Sequence, residues 1–388
     1  MNRFFTLAAA GTLAVSALSV QAQATLDGII SSSEIRPAAA GGYVSLGAFT
    51  TPHVGNAGFG QWGLLRMYGA NTSTKLYVAL AGTVQGTGNN FQLYMDLPGR
   101  TGVPAGTGLP TIASSATVFG SFNNGTQTIG GTKMDMDVDA AFAVTGQGDV
   151  QGAVFSNATT AVAKSLGGGA GILPDGSVTA LPGSETTGAY ALFSGMRLAY
   201  LAPSGDLTTN PGAANGGGAG SYGLEMEFDR AALGLPSGAS VVRLMAAQIS
   251  GDAFWSSDVI PEVPGNGNNN LAFSPDFTAL PGTQAATFNV VVLSNRRADE
   301  AVVALSVFPN PSQAESTITY QVQGATQPVT VRLTDLLGRP VRTLLDGARQ
   351  SAGFHHLTVP TADLAAGAYL VKVQVADKTA TRQLAVTR

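Results

Sequence analysis

The chain has 388 residues, of which 44% are hydrophobic and only 11% are charged, a balance that favours a packed globular protein over a disordered one. The absence of cysteine excludes disulfides, thiolate metal sites and cysteine nucleophiles, and three histidines leave little for a zinc site. Fifty glycines and nineteen prolines without a fixed period indicate many turns between short strands. The predicted class is all-β.

The charges are shared unevenly along the chain. Residues 23–300 hold 11 Lys and Arg against 19 Asp and Glu, a net charge of −8, whereas residues 301–388 hold 8 against 5, a net charge of +3. This asymmetry predicts a domain boundary near residue 300. The acidic larger part is poorly suited to nucleic-acid phosphates, so no nucleic-acid partner is expected.

Residues 1–22 have the pattern of a secretory signal peptide. Arg3 is followed by an apolar run that ends in Val20-Gln21-Ala22, which suits signal peptidase, and cleavage is predicted after Ala22, with Ala24 as the alternative. A membrane anchor is the other interpretation, but small and polar residues interrupt the run. No later segment reaches the roughly 20 apolar residues that span a bilayer, so the mature chain is expected to lack a transmembrane segment.

Residues 23–297 are predicted to form an acidic β-sandwich. Residues 75–82 and 91–96 are typical of neighbouring buried strands, and Leu224, Met226 and Phe228 alternate with acidic residues in a half-buried strand. The opening Thr25-Leu26-Asp27-Gly28, and a strand at 223–229 that leads into Leu233-Gly234-Leu235, resemble family 9 carbohydrate-binding-module-like and DOMON-type sandwiches. This resemblance implies a sandwich fold and makes polysaccharide a candidate partner.

Residues 133–140, KMDMDVDA, form a candidate metal site. On a strand, Asp135, Asp137 and Asp139 would share one face about 7 Å apart, and carboxylate oxygens are ligands that Ca²⁺ prefers. A solvated outer face that discourages edge pairing is the alternative, because in-line spacing does not converge on one ion. No calcium-loop motif is present.

Aromatic residues form a candidate sugar platform. Trp62, Trp255 and Tyr94 are the ligand-binding candidates, with Tyr43 and Tyr68 as additions, since pyranose rings stack on flat aromatic faces beside polar groups. Core packing is the alternative for each ring. Two or more exposed rings would be needed to make sugar binding persuasive.

A glycoside hydrolase would require two carboxylates on either side of a bond. Asp96, Glu225 and Glu227 lie near predicted strands, and the last two share a strand face. No nucleophile elbow, phosphate loop or HExxH motif accompanies them. The prediction is therefore a protein without catalytic residues or a required cofactor.

Residues 298–304 are predicted to be a linker, and residues 305–388 a small Ig-like β-sandwich. About seven short β-forming runs, among them residues 317–322 and 368–375, are separated by turns in fewer than 90 residues. Packing is the expected role of Tyr369 and Leu370, and Gly338 and Gly367 are expected to supply positive φ at turns.

Several motifs in this tail occur in a characteristic order. The tail is similar to the type A sorting domain of the type IX secretion system in Phe308-Pro309-Asn310-Pro311, then Leu337-Gly338-Arg339, then Gly353, and finally the run from Leu364 through Gly367 and Tyr369 to Leu370. The resemblance implies Sec export, passage across the outer membrane of a Gram-negative bacterium, removal of the tail by a surface sortase, and attachment to lipopolysaccharide. The secretion machinery and the sortase are the implied partners.

Three hypotheses remain for residues 23–297. The first is a secreted or surface-bound glycan-binding protein, and the second is a structural or adhesive surface protein without a small ligand. The third is a hydrolase with a carboxylate site that matches no known motif.

Overall fold

The computed structural model describes residues 24–36, 41–49, 51, 53, 55–86, 88–113, 116–167, 171–202, 206–208, 212–236, 238–290, 303–336 and 338–387. The predicted signal peptide therefore lies outside the described residues. The chain divides into two compact units, Met1–Leu293 and Ser294–Arg388.

One seven-stranded sheet of the first unit, called sheet I, has the strand order β11-β12-β13-β4-β3-β2, and β1 also pairs with β13. All of its pairings are antiparallel. Its strands are β1 (Ile29–Ile30), β2 (Val44–Ala48), β3 (Gly63–Asn71), β4 (Lys75–Thr83), β11 (Thr179–Ala180), β12 (Arg197–Tyr200) and β13 (Ser221–Asp229).

The second seven-stranded sheet, called sheet II, has the order β10-β9-β8-β5-β14-β15, and β16 also pairs with β14. It is antiparallel as well. Its strands are β5 (Asn90–Asp96), β8 (Ala140–Thr145), β9 (Val150–Asn157), β10 (Thr160–Ser165), β14 (Ser240–Ile249), β15 (Trp255–Ile260) and β16 (Ala286–Val290). The short strands β6 (Ser121–Phe122) and β7 (Gln127–Thr128) form a separate hairpin.

Side chains from both sheets form one apolar layer between them. Strand alternation places Leu224, Met226 and Phe228 of β13 in this layer together with Leu93 and Phe142 of sheet II. The pairing of two antiparallel sheets over a shared core confirms the predicted sandwich.

The outer faces of both sheets are also covered. Tyr43, Tyr68 and Tyr77 form a cluster with residues near the start of the described chain on sheet I. On sheet II, Tyr94 and Trp255 join a third cluster that includes residues of the connection between β5 and β8. Because both faces of these strands are buried, their apolar runs are nearly continuous, as in residues 75–82.

The tail is a small sandwich with seven strands, as predicted. A three-stranded sheet, β17-β18-β21, faces a four-stranded sheet, β20-β19-β22-β23, across one apolar core. The strands are β17 (Ser306–Phe308), β18 (Glu315–Val322), β19 (Gln327–Asp335), β20 (Pro340–Gln350), β21 (Gly353–Pro360), β22 (Gly367–Val375) and β23 (Lys378–Val386).

The described residues include four short 3₁₀ turns. They lie at Asn123–Gly125, Gly188–Phe193, Ala213–Asn215 and Phe277–Ala279. Within the part of the chain that the structure describes, no helix is long and apolar enough to cross a membrane.

Candidate functional site

The carboxylate of Glu225 holds the beginning of the described chain against sheet I. One of its oxygens accepts hydrogen bonds from the backbone amides of Asp27 (3.0 Å) and Gly28 (2.8 Å), and the other accepts one from the Tyr43 hydroxyl (2.9 Å). Gly28 has φ +74°, and a Cβ there would lie 2.5 Å from the Leu201 amide nitrogen. The Asp27-Gly28 pair therefore forms a turn that only glycine fits, and Glu225 satisfies its amides.

Burial dominates the electrostatics of Glu225, which is completely buried. Desolvation raises its pKa to about 8, although the three hydrogen-bond donors favour the charged form. Glu34, only 3% exposed, adds negative charge nearby and binds the Thr25 and Ser31 amides. This acidic cluster organises the N-terminal backbone.

Glu227, two residues further along β13, has a different partner. The Arg197 guanidinium donates to both of its oxygens, at 2.9 and 2.7 Å, and the Lys75 ammonium lies 3.5 Å away. Burial raises the pKa of Glu227, but the hydrogen bonds from Arg197 and Tyr77 and the nearby positive charges outweigh it, so the net pKa is lowered. Glu225 and Glu227 do share a face, as predicted, but both carboxylates are buried and bonded to protein groups.

Asp96, the third hydrolase candidate, lies at the end of β5, opposite Arg243 on β14. The Arg243 guanidinium donates a 3.2 Å hydrogen bond to it. Burial, reinforced by the charge of Asp137, raises the pKa of Asp96 despite this ion pair. Asp96 belongs to sheet II and Glu225 to sheet I, so the structure does not bring the three hydrolase candidates together on one face.

The three aspartates of residues 133–140 do not form one face of a strand. Only Ala140 belongs to a strand, and the preceding residues make isolated bridges at Lys133 and Val138. Each aspartate accepts a hydrogen bond from a different backbone segment: Asp135 from the Gln284 amide (2.7 Å), Asp137 from the Ala105 amide (2.9 Å) and Asp139 from the Leu97 amide (2.7 Å).

The metal hypothesis for these aspartates must be corrected. Their alternation with Met134, Met136 and Val138 is real, because those three side chains enter the cluster that covers sheet II. The carboxylates instead bind the β5–β8 connection at Leu97 and Ala105 and the loop before β16 at Gln284. No group of three His, Cys, Asp or Glu suited to a metal ion occurs among the described residues.

The aromatic candidates are mostly internal. Trp255 and Tyr94 are both fully buried, and their rings stack with centroids 5.7 Å apart. The Tyr94 hydroxyl donates to Gln92 at 2.5 Å, and desolvation raises the pKa of Tyr94 far above its usual range. Core packing, the other interpretation given for each ring, therefore holds for these two ligand-binding candidates, because a covering layer of loops packs on this side of sheet II.

The remaining rings give no platform either. Tyr43 is completely buried and Tyr68 is 1% exposed, and the Tyr68 hydroxyl donates to the Gly217 carbonyl at 2.8 Å. Trp62 is half-buried just before β3. Trp62 is thus the one candidate from the predicted platform that reaches the surface, and it does so without either proposed partner ring.

A buried polar network that we did not predict joins the loop before β3 to β15. His53 Nδ1 donates to Asp258 Oδ1 at 3.2 Å, and His53 Nε2 lies 3.5 Å from Glu262. Asn56 donates to the same Asp258 oxygen at 3.2 Å, and the Leu64 amide donates to the other oxygen at 3.0 Å. Asp258 is completely buried.

Burial and neighbouring charges shift the pKa values of this network. Burial lowers the pKa of His53, but the hydrogen bond and charge of Asp258, together with Glu262, outweigh it and raise the net pKa. His53 therefore lies between two carboxylates that favour its charged form, whereas burial raises the pKa of Asp258 despite its hydrogen bond to His53. The signal that could have revealed it is Asp258 itself, an acidic residue that precedes Val259 and Ile260 inside strand β15 and that requires a partner if the strand is buried.

A cavity of about 460 Å³ opens beside β10, the edge strand of sheet II. Its lining includes Ile112, Ala116, Ala161 and Ala163, and its one charged group is Lys164, which is bound to Glu185 at 2.9 Å. Among the described residues that line it there is no carboxylate, so these residues offer no pair for two-carboxylate hydrolysis.

In the tail, the Pro309-Asn310-Pro311 segment anchors the last strand. The Asn310 side chain donates to the Gln383 carbonyl at 2.7 Å and accepts from the Ala385 amide at 2.9 Å. The Pro309 carbonyl accepts from the Ser316 hydroxyl at 2.7 Å. This motif therefore fastens β23 to the entrance of the domain.

The other motif residues have mixed roles. Gly338 has φ +82° in the turn between β19 and β20, as expected, and Arg339 donates to Asp335 at 2.6 Å. The expectation for Gly367 is wrong: it begins β22 and does not adopt a positive φ. Tyr369 packs against the tail core, and its hydroxyl donates to the Ala365 carbonyl at 2.8 Å.

Comparison with known families identifies this tail. Residues 306–387 match the family described as the secretion system C-terminal sorting domain. The match begins and ends within two residues of the seven strands described above. No curated protein matches the chain.

Solved structures give only distant likenesses. Dimeric latent PorU from Porphyromonas gingivalis is 12% identical to this chain, with a TM-score of 0.20. The match covers 81% of this chain and 32% of that chain, so this chain spans about a third of the length of PorU. The BSP domain of a biofilm associated protein is 8% identical with a TM-score of 0.17, covering 89% and 51%. The CupB6 tip adhesin from Pseudomonas aeruginosa is 10% identical with a TM-score of 0.12, covering 89% and 97%. At these TM-scores no functional conclusion follows.

Proposed function

We propose that residues 24–290 are a non-catalytic structural or adhesive surface module, given that residues 306–387 are a secretion system C-terminal sorting domain. That domain marks the protein as a cargo of the type IX secretion system, which exports it to the cell surface or the medium. The tail directs export, and the first unit has the structural or adhesive role outside the cell.

The observation that supports a non-catalytic module is the state of its carboxylates. Glu225 and Asp139 bind backbone amides, Glu227 binds Arg197, and Asp258 binds His53. A catalytic pair needs one carboxyl that protonates a leaving group and one that reaches the sugar or a water. Side chains whose oxygens already organise buried backbone are poorly placed for that work.

Glycan binding by the first unit is the competing proposal. It rests on the resemblance of the Asp27-Gly28 opening and on Trp62, which is half-buried. The burial of Trp255 and Tyr94 removes the two rings that would have completed a platform. A structural or adhesive role therefore accounts better for a sandwich whose two outer faces are both covered.

The attachment that the tail resemblance implies also belongs to this proposal. After Sec export and passage across the outer membrane, a surface sortase removes the tail, and the first unit is attached to lipopolysaccharide. Recovery of a surface form without residues 306–387 would support this step, and recovery only of the full-length chain would contradict it.

Two measurements test the proposed function. Deletion of residues 305–388 should leave the protein in the periplasm, and normal surface delivery of that variant would overturn the export role. Purified full-length protein should show no retention on insoluble cellulose, xylan or chitin. Retention that the Trp62→Ala variant loses, with unchanged thermal unfolding, would instead establish the glycan alternative.

A further inference from the structure

The outer face of the three-stranded sheet in the tail carries two exposed aromatic rings. Phe308 on β17 is 78% exposed and Phe354 on β21 is 62% exposed. On the same strands, Val307 and Leu357 pack against the tail core. Strand alternation therefore turns both phenylalanine rings away from the core and into solvent.

The pairing register places these rings at opposite corners of one surface. Phe308 pairs with Thr317 of β18, and Phe354 pairs with Gln321 of the same strand. Four residues along β18 and two strand spacings across the sheet separate them by about 17 Å. We call this surface the Phe308–Phe354 face; it comprises Ser306, Phe308, Thr317, Thr319, Gln321, Phe354, His356 and Thr358.

Between its two apolar rings this face carries hydroxyl, amide and imidazole side chains. It holds no Asp, Glu, Lys or Arg, and the one acidic neighbour, Glu315, stands at the end of β18 beyond Phe308. The outer face of the four-stranded sheet differs, because Arg332 of β19 lies directly opposite Lys372 of β22. A partner of the Phe308–Phe354 face is thus an uncharged protein surface with apolar sites for the two rings, rather than a phosphate or an anionic polysaccharide.

Packing explains the neighbouring motif residues but not Phe308. Asn310 fastens β23, and the Pro309 carbonyl accepts a hydrogen bond from Ser316. Phe308 precedes them in the same motif, and its ring is not among the residues packed against the tail core. Packing within the tail therefore gives no role to the Phe308 ring.

The apolar area that the two rings expose favours a transient partner over a permanent one. At about 200 Å² for each aromatic side chain, the two rings leave about 300 Å² of apolar surface in water. A stable interface buries about 800 Å² on each partner. A surface this small suits an encounter that forms and is released for every exported molecule, and not a permanent dimer of this chain.

We propose that the Phe308–Phe354 face is the surface through which the outer-membrane export machinery engages the tail. This inference rests on the proposed export function and adds which surface of the tail the export machinery contacts. The two rings enter apolar depressions on the machinery, and the threonine and glutamine side chains between them supply hydrogen bonds.

An export assay in the secreting cell tests the proposal with the full-length chain. The double variant Phe308→Thr/Phe354→Thr removes both rings and keeps β-forming residues. The matched control, Leu336→Thr/Val341→Thr, removes two apolar side chains that are 62% and 40% exposed elsewhere on the tail. Phe308→Tyr/Phe354→Tyr keeps the rings. Thermal unfolding of each purified variant accompanies the assay.

The expected result is at least a roughly ten-fold loss of surface protein and its accumulation in the periplasm for the threonine variant alone. The tyrosine variant should be exported normally, and all melting curves should match. Normal export of the threonine variant, an equal loss in the Leu336/Val341 control, or sedimentation showing that the rings hold two copies together would each overturn the proposal. Deletion of residues 305–388 distinguishes failure of this inference from failure of the proposed export function. If the deletion blocks export and the threonine variant does not, only this inference fails.

Discussion

Replacing Glu225 with glutamine should change how the stability of the first unit depends on pH. Glutamine keeps the shape of the side chain and one oxygen for the amides of Asp27 and Gly28, while the Tyr43 hydroxyl can rotate to accept from the new amide. The variant therefore removes the titrating group with little loss of packing, because Glu225 is completely buried.

The direction and size of this pH dependence follow from the pKa of Glu225. Burial raises the pKa of Glu225 from 4.5 to about 8 in the folded protein. The folded state therefore holds this proton more tightly than the unfolded state, so the contribution to stability is complete below pH 4.5 and is lost as pH rises to 8. At 1.36 kcal/mol for each pH unit, the loss is about 5 kcal/mol.

The assay is urea unfolding followed by tryptophan fluorescence between pH 4 and pH 9. Both tryptophans of the chain, Trp62 and Trp255, belong to the first unit, so the signal reports this unit and not the tail. Relative to Glu225→Gln, the wild-type free energy of unfolding should fall by about 5 kcal/mol from pH 4 to pH 9.

Glu227→Gln is the matched control, since Arg197 and its other partners lower the net pKa of Glu227. Its folded state favours the charged form, so the stability that the wild type gains over this variant is complete above pH 4.5 and is lost as pH falls below it. Opposite pH trends for the two substitutions would support the reasoning. A difference between wild type and Glu225→Gln that stays constant from pH 5 to pH 9 would refute it.

Three further outcomes are expected. Asp258→Ala leaves His53 without its buried counter-charge and should lower the free energy of unfolding by about 3–5 kcal/mol in the same fluorescence assay; no change would show that the network is solvated. Trp255→Ala should cost about 3–5 kcal/mol through cavity formation, measured by calorimetry, without altering retention on polysaccharide. Asn310→Ala removes two hydrogen bonds that hold β23 and should destabilise the tail by about 1–3 kcal/mol, seen as faster hydrogen exchange at the Ala385 amide than in wild type.

The tail was the part most predictable from sequence because its signals are local. Short alternating runs and turn residues predicted its seven strands, and Gly338 has the positive φ that its turn requires. The Asn310 contacts to β23 were not foreseeable, since Asn310 and Ala385 lie 75 residues apart and only folding brings them together.

In the first unit, strand alternation predicted the face that each side chain occupies but not whether that face is buried. Alternation on β13 correctly placed Glu225 and Glu227 on the face opposite Phe228, because side chains of a strand point to alternate sides. Whether that face meets water depends on which distant segment covers it. The turn at Asp27 covers Glu225, about 200 residues away along the chain, so a predicted half-buried strand is buried on both sides.

The candidate sites also depend on which distant segments cover each residue. The sequence alone determined an all-β chain with a sorting tail, since periodicity and ordered motifs are properties of neighbouring residues. Only the tertiary structure decided that Trp255 and Tyr94 are core, that Asp135, Asp137 and Asp139 bind three separate backbone segments, and that His53 meets Asp258. Burial and partnership depend on contacts between segments far apart in the chain, and those contacts exist only once the two sheets have packed.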